Sequence, residues 1–76
     1  MTNSELLGKY GLHPCAWVWD GRPYLTEVRG DGDRNRSISP DQARYEASLD
    51  ILLPEYARAL TLAADLTERL WKAWNK

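Results

Sequence analysis

The strongest pattern of apolar positions runs through the second half of the chain. Apolar side chains recur there at mostly three- and four-residue spacing, the period of one helix face. They are Tyr45, Leu49, Leu52, Tyr56, Leu60, Ala63, Leu70 and Trp74, widened by Leu53, Ala57, Ala64 and Trp71. The preceding Ser39-Pro40-Asp41-Gln42 is a typical helix start, with Ser39 as N-cap and Gln42 completing a capping box. The pattern predicts helix from Pro40 onward.

Pro54 interrupts this helical pattern. Its ring clashes with the carbonyl of Asp50, and it has no amide hydrogen to donate. Two interpretations stay open: a kink in one continuous helix, or two helices packed as a hairpin. We expect the kink, because the apolar face continues through Pro54 and Leu53 is a poor N-cap.

Two runs of strand-forming residues, 15–19 and 22–28, flank an Asp-Gly pair in the first half. Glycine supplies the positive φ that tight hairpin turns need, so the pattern predicts a β-hairpin. A two-residue loop places Trp17 opposite Tyr24, with Trp19 on the same face. A three-residue loop would shift every pair by one residue, so the sequence leaves the register open.

The distribution of glycine separates the chain into two halves. All five glycines precede residue 33, so the first half is turn-rich and the second is helical. Ser4 is positioned to cap a short N-terminal helix, with Gly11 as a left-handed stop. The predicted fold is one small α+β domain over residues 1–76. It has a short N-terminal helix and an antiparallel hairpin, extended to three strands if residues 36–38 also pair, packed on a long kinked C-terminal helix.

Charge, apolar runs and cysteine count indicate the cellular compartment of the protein and the kind of partner it binds. Ten basic and eleven acidic residues give a net charge of -1, so total charge favours neither a nucleic acid nor a strongly basic target. No apolar run reaches the roughly 18 residues of a membrane helix. The N-terminus does not have the basic segment followed by an apolar segment that is typical of a secretion signal. The single cysteine, Cys15, cannot form an internal disulfide. We therefore expect a cytoplasmic protein with no membrane partner.

Candidate chemistry is sparse. His13 and Cys15 are the only histidine and the only cysteine, and no third group completes a catalytic set or a zinc site around them. Asp-x-Asp-x-Asn over 31–35 has the alternating oxygens that open a calcium loop, but Arg36 and Gln42 stand where that loop needs Gly and Glu. We expect no catalytic activity, no metal and no cofactor.

The aromatic residues are the most informative candidates. The chain has four Trp and four Tyr but no Phe, and Trp and Tyr favour partly buried positions and interfaces. We expect at least one of Trp17 and Trp19 to pack on the helix. The end of a helix too long for the hairpin to cover is expected to associate with another protein. The candidate partner-binding residues are Trp71, Trp74, Leu70 and Trp19, with Arg29, Arg34 and Arg36 around one polar loop.

These features favour a small, non-enzymatic protein-binding module that also self-associates through its helix, with a homodimer preferred. In size, absence of motif and single-layer build, the chain is similar to small phage- or plasmid-encoded inhibitors, the anti-CRISPR type among them. Such inhibitors occlude the surface of a host protein, and the likeness is one of kind, since no residue matches a family motif. The alternative is a nucleic-acid-binding regulator that uses the arginine loop and the hairpin aromatics. A steep salt dependence of binding would identify it.

Overall fold

A three-stranded antiparallel sheet carries the helices on one of its faces in the computed structural model, which describes residues 2–29 and 34–74. In chain order the elements are α1 (Asn3–Lys9), β1 (Leu12–Trp19), β2 (Arg22–Arg29), β3 (Arg34–Ile38), α2 (Pro40–Ala47) and α3 (Pro54–Trp74). The strand order is β1-β2-β3. The predicted α+β fold with a short N-terminal helix, a β-hairpin and a long C-terminal helix is confirmed, and the third strand forms.

A two-residue turn closes the hairpin. Asp20 and Gly21 have φ values of +53° and +71°, as a type I′ turn requires. Trp17 lies opposite Tyr24, so the predicted two-residue register is confirmed. Pairs in an antiparallel ladder alternate between bonded and non-bonded, so the missing amide of Pro23 faces away from β1. The β2–β3 register begins only at Leu25, so Pro23 lies where β3 does not pair and its missing amide breaks no described ladder bond.

A bulge interrupts β1 between His13 and Trp17. Within it Cys15 has a φ of +52°, and a left-handed conformation costs a residue with a side chain roughly 1–2 kcal/mol. The Cys15 amide donates to the buried hydroxyl of Thr67 on α3 at 3.0 Å, and that hydroxyl donates to the Ala63 carbonyl at 2.7 Å. One buried hydroxyl therefore holds the bulge against α3.

α1 begins earlier than the sequence predicts. Its N-cap is Thr2, whose hydroxyl accepts from the Glu5 amide at 3.1 Å, while the Glu5 carboxylate accepts from the Thr2 amide at 3.4 Å. Ser4 lies inside the helix, so the prediction that Ser4 caps it is wrong. The reciprocal Thr-x-x-Glu pair provides acceptors for two backbone amides, those of Thr2 and Glu5. Ser4 has no acidic residue three positions later with which to form such a pair. Gly11 follows with a left-handed φ of +65°, as predicted.

α2 and α3 are separate helices, so the predicted kink in one continuous helix is wrong. Residues 48–53 connect them. At the end of α2 the Ser48 hydroxyl donates to the Tyr45 carbonyl at 2.6 Å. Pro54 is the first helical residue of α3, where a missing amide hydrogen costs no intrahelical bond. α2 then packs against α3, and Arg44 binds two carboxylates of α3.

The core is built from leucine and alanine. Its buried apolar side chains are Leu6, Leu7, Leu12, Cys15, Leu25, Ile38, Ala43, Ala59, Leu60, Ala63 and Ala64. Trp17 and Trp19 are 54% and 64% exposed, so the prediction that at least one of them packs on the helix is wrong. Side chains alternate between the two faces of a strand. Leu25 faces the helices, so its neighbour Tyr24 faces away from them, and so do Trp17 and Trp19, which lie on the same face as Tyr24. The largest apolar side chains of the chain therefore lie outside its core.

Candidate protein-binding surface

The outer face of the sheet presents a cluster of aromatic rings. Trp17 and Trp19 lie on the same side of β1, and Tyr24 of β2 lies opposite Trp17. Together with Ser37 of β3 they line a hollow of about 210 Å³. The hydroxyl of Ser37 is 3.3 Å from that of Thr26. We call Trp17, Trp19, Tyr24 and Ser37 the hairpin platform.

A larger groove lies between the turn end of the hairpin, the start of α2 and the end of α3. Its volume is about 460 Å³. The apolar part of its lining is Pro23, Tyr24, Pro40 and the half-buried Trp71. The polar part is Arg22, Ser39, Asp41, Glu68 and Lys72. We call this set of residues the C-terminal groove.

Tyr24 lines both the hairpin platform and the C-terminal groove, so the two surfaces adjoin at this residue. Beyond the groove, Leu70 and Trp74 are exposed on the last turns of α3. Trp74 follows Trp71 by three residues and is therefore its neighbour on the helix surface. From the predicted set, the structure thus places Trp19 and Trp71 on two surfaces that share Tyr24, and it leaves Leu70 and Trp74 exposed on the last turns of α3.

The carboxylates of the groove are already paired within the chain. Arg44 donates to Glu68 and, at 2.8 Å, to Asp65, and it lies 3.7 Å from Asp41. Hydrogen bonds to Glu68 and Asp65 raise the pKa of Arg44. Within residues 2–29 and 34–74 no ion pair is found for Arg22 or Lys72. The rim of the groove therefore offers two cations to carboxylates of a partner.

The three predicted arginines stand in different settings. Arg29 and Arg34 are opposite each other in the β2–β3 register, at the strand ends that flank residues 30–33. Those four residues lie outside the described residues, and with them most of the polar loop and of the calcium-like pattern. Arg36 lies in the middle of β3 and is bound inside the chain.

Arg36 joins β3 to β2 and α2 through two carboxylates. Its Nε donates to Glu27 at 2.8 Å, and its terminal nitrogens donate to Glu46 at 2.9 and 2.7 Å. These bonds, to Glu46 and then to Glu27, raise the pKa of Arg36. Glu27 is 1% exposed and also accepts from the Tyr56 hydroxyl. Because its donors are engaged here, we leave Arg36 out of the partner-binding surface.

Sequence reasoning missed this internal network, although the sequence contains a signal for it. Glu27 follows Leu25 by two residues, so any register that buries Leu25 turns Glu27 toward the helices as well. A buried carboxylate requires a cation or several hydrogen-bond donors. The facing strand supplies Arg36, which lies directly opposite Glu27.

The thiol and the imidazole of the chain are held in different environments. His13 is exposed, whereas Cys15 is buried within the bulge. Burial raises the pKa of the Cys15 thiol, which disfavours the reactive thiolate. Across the part of the chain that the structure describes, no three His, Cys, Asp or Glu side chains group closely enough to hold a metal ion. The hairpin platform and the C-terminal groove can contact a partner through their aromatic rings, their hydroxyls and the two cations at the groove rim.

No protein-family model, no curated protein and no solved structure matches the chain. Among the described helices, none combines the length and the apolar character that crossing a membrane requires. Function is therefore inferred from the surface itself.

Proposed function

We propose that the protein is a small, non-enzymatic protein-binding module whose partner docks in the C-terminal groove, with Leu70 and Trp74 at its end. The observation that carries the proposal is the position of the tryptophans: all four lie outside the core, and Tyr24 lines both the platform with Trp17 and Trp19 and the groove with Trp71. Trp and Tyr dominate binding energy at protein interfaces. Removing such exposed apolar area from water contributes favourably to the free energy of binding a partner.

The groove also indicates the chemistry of the partner. Its apolar lining accepts an aliphatic or aromatic anchor side chain, and Arg22 and Lys72 at the rim suit carboxylates beside that anchor. The only cysteine is a free, buried thiol, so the fold needs no oxidising compartment, which supports action in the cytoplasm. A chain of this size acts by covering a surface of its partner, as small phage- or plasmid-encoded inhibitors of the anti-CRISPR kind do.

The test places a photocrosslinking phenylalanine analogue at position 74 in one variant and at position 45 in a control. Trp74 and Tyr45 are matched, being 63% and 62% exposed, but Tyr45 does not line the groove. In cells that carry the gene, we expect a discrete adduct with one cellular protein from position 74 and none from position 45. Equal adducts from both positions would contradict the proposal.

The partner identified in this way is then purified and titrated. Trp74→Ala is expected to weaken its Kd by about 30-fold, and Tyr45→Ala by less than about 2-fold. The partner's own activity is measured with and without a saturating amount of the chain. Unchanged partner activity at saturation would contradict inhibition while leaving binding intact.

The second candidate function is binding of single-stranded nucleic acid on the hairpin platform. Its supporting observation is the row of exposed rings on an uncovered sheet face, an arrangement on which bases stack. Against it, the chain has a net charge of -1, and Arg36 is engaged internally. Binding to oligonucleotides that falls steeply with salt and is lost in Trp17→Ala would favour this candidate.

A further inference from the structure

The hairpin platform has the two features that a self-complementary interface needs. A two-fold contact sets the same patch of one copy against itself, so the patch must carry both protrusions and a recess that receives them. The platform has two rings exposed by more than half, Trp17 and Trp19, and a hollow of about 210 Å³ between them, Tyr24 and Ser37. The same patch therefore carries exposed rings and a recess beside them.

Charge on the outer sheet face is also compatible with a second copy. By strand alternation this face carries the platform together with Thr26, Val28 and Asn35, which are uncharged, and His13, which lies opposite Thr26 and is the ionisable side chain among them. Arg22 lies at one end of the face, opposite Trp19. A charged face would repel its own copy, whereas this one meets itself without like charges at its centre.

The area of the face is sufficient for a weak dimer. An aromatic side chain buries 150–250 Å² when fully covered, so Trp17 and Trp19 at their exposures offer roughly 180–300 Å² per copy. With the neighbouring side chains, a face-to-face contact approaches about 1,000 Å² in total, near the lower bound for a specific interface. This predicts a dimer that dissociates on dilution through the micromolar range.

The core gives a reason for the second copy rather than a foreign occupant. Four of its buried side chains are alanines and none is tryptophan, and a domain of 76 residues has little surplus stability. A second copy is present whenever the chain is made, so at concentrations that favour the dimer it supplies additional apolar burial. We propose that the hairpin platform is the interface of a two-fold homodimer, packed sheet to sheet, and that another protein binds the C-terminal groove, with which the platform shares Tyr24.

The test is sedimentation equilibrium from about 1 μM to about 500 μM. We expect the wild type to pass from monomer to dimer across this range. Trp17→Ser combined with Trp19→Ser should weaken dimerisation by at least 30-fold. The matched control combines Tyr45→Ser with Ile51→Ser, at positions 62% and 88% exposed and away from the sheet face, and should dimerise as the wild type does. Far-UV circular dichroism confirms that each variant is folded.

A charge swap distinguishes a second copy from any other occupant and does not depend on the double variant folding. Trp17→Glu and Trp17→Lys, at the platform position opposite the uncharged Tyr24, should each be monomeric because each places like charges in the contact, and an equimolar mixture should recover a dimer. Any of three results would overturn the proposal: a monomeric wild type at the highest concentration, dimerisation retained in the double platform variant, or dissociation by Trp74→Ala instead. A wild type that is monomeric but still gives the adduct at position 74 would refute the dimer and leave the proposed function standing. Salt-sensitive oligonucleotide binding by a monomeric wild type would assign the platform to nucleic acid.

Discussion

At the scale of single residues, Gly11 and Gly8 have opposite requirements. Gly11 has a φ of +65°, and a Cβ added there would lie 2.2 Å from the Val28 carbonyl oxygen. The strand cannot move aside freely, because the Val28 amide donates to the Gly11 carbonyl at 2.8 Å. Gly8 lies within α1 and has open space around its Cβ position.

Gly11→Ala is therefore expected to lower the free energy of unfolding by about 3 kcal/mol, from left-handed strain and the clash with Val28 together. Gly8→Ala should raise it by about 0.5–1 kcal/mol, since alanine loses less backbone entropy in a helix. Urea denaturation of both variants measures the difference. A neutral effect of Gly11→Ala would contradict the close approach of β2.

Thr67 and Thr61 form a second matched pair on α3. Both hydroxyls donate to the carbonyl four residues earlier, but only the buried Thr67 also accepts from the Cys15 amide. Thr67→Val leaves that amide buried without its acceptor, which costs about 1–3 kcal/mol of stability. Thr61→Val, on the exposed face, should stay within about 0.5 kcal/mol of the wild type in the same urea titration. Equal effects of the two substitutions would show that the hydroxyl does not hold the bulge.

At the scale of elements, the Arg36 network connects two strands to α2 and α3. Replacing Arg36 by Met removes the Arg36 bonds of Glu27 and Glu46, and Glu27 is 1% exposed. We expect a loss of about 3 kcal/mol, discounted from the range for a fully buried pair because the Arg36 side chain is 37% exposed. Arg69→Met, at an exposed position on α3, should change stability by less than about 0.5 kcal/mol. Adding Glu27→Leu to Arg36→Met should recover part of the loss, and a further loss would contradict the ion-pair explanation.

The elements also show what local sequence signals can and cannot specify. The Asp20-Gly21 turn and the Ser39-Pro40 helix start were predictable, because each depends only on neighbouring residues. The separation of α2 from α3 has a local signal too, since Ser48 caps one helix and Pro54 opens the next. The apolar face masked it, because its spacing persists through residues 48–53 although these are not helical.

The choice of sheet face required tertiary information. The two-residue register places Trp17 and Trp19 on the face opposite Leu25, but the Leu25 face of the hairpin alone offers little apolar area for a core. The bulge turns Cys15 inward, and Leu12 and Ile38 add to the same face. Those contributions come from an irregular strand and a third strand, so no pattern within the hairpin could reveal that the tryptophans face outward.

At the scale of the whole molecule, one ion-pair cluster ties α1 to the start of α3 and makes stability depend on pH. Glu55 accepts from Lys9 at 2.5 Å and from the Tyr10 hydroxyl at 2.7 Å. The bond to Lys9, then that to Tyr10, lowers the pKa of Glu55 from its ordinary value of 4.5. The same contact raises the pKa values of Lys9 and Tyr10 from their ordinary 10.5 and 10.0.

The sign of the pH dependence follows from these directions. A carboxyl whose pKa is lowered on folding stabilises above its ordinary pKa, and this contribution is lost as pH falls through the folded value. The raised pKa values of Lys9 and Tyr10 contribute below about 10 and are lost as pH rises through the folded values. Urea midpoints should therefore show the wild type above Glu55→Gln at pH 7, with the gap narrowing as the pH falls below 4.5. A gap that does not change with pH would contradict the assignment.

Because the bulge is buried, labelling of its thiol measures how often this part of the fold opens. Cys15 is the only thiol and lies beneath α3, joined to it through Thr67. A thiol reagent in excess reaches it when the contact between β1 and α3 opens, so the labelling rate divided by the rate for an unfolded peptide gives the population of open molecules. Each molecule carries one label at one site, and mass spectrometry counts it directly. The sulfur of Cys15 thus reports the separation of the sheet and the longest helix, and no cysteine has to be introduced.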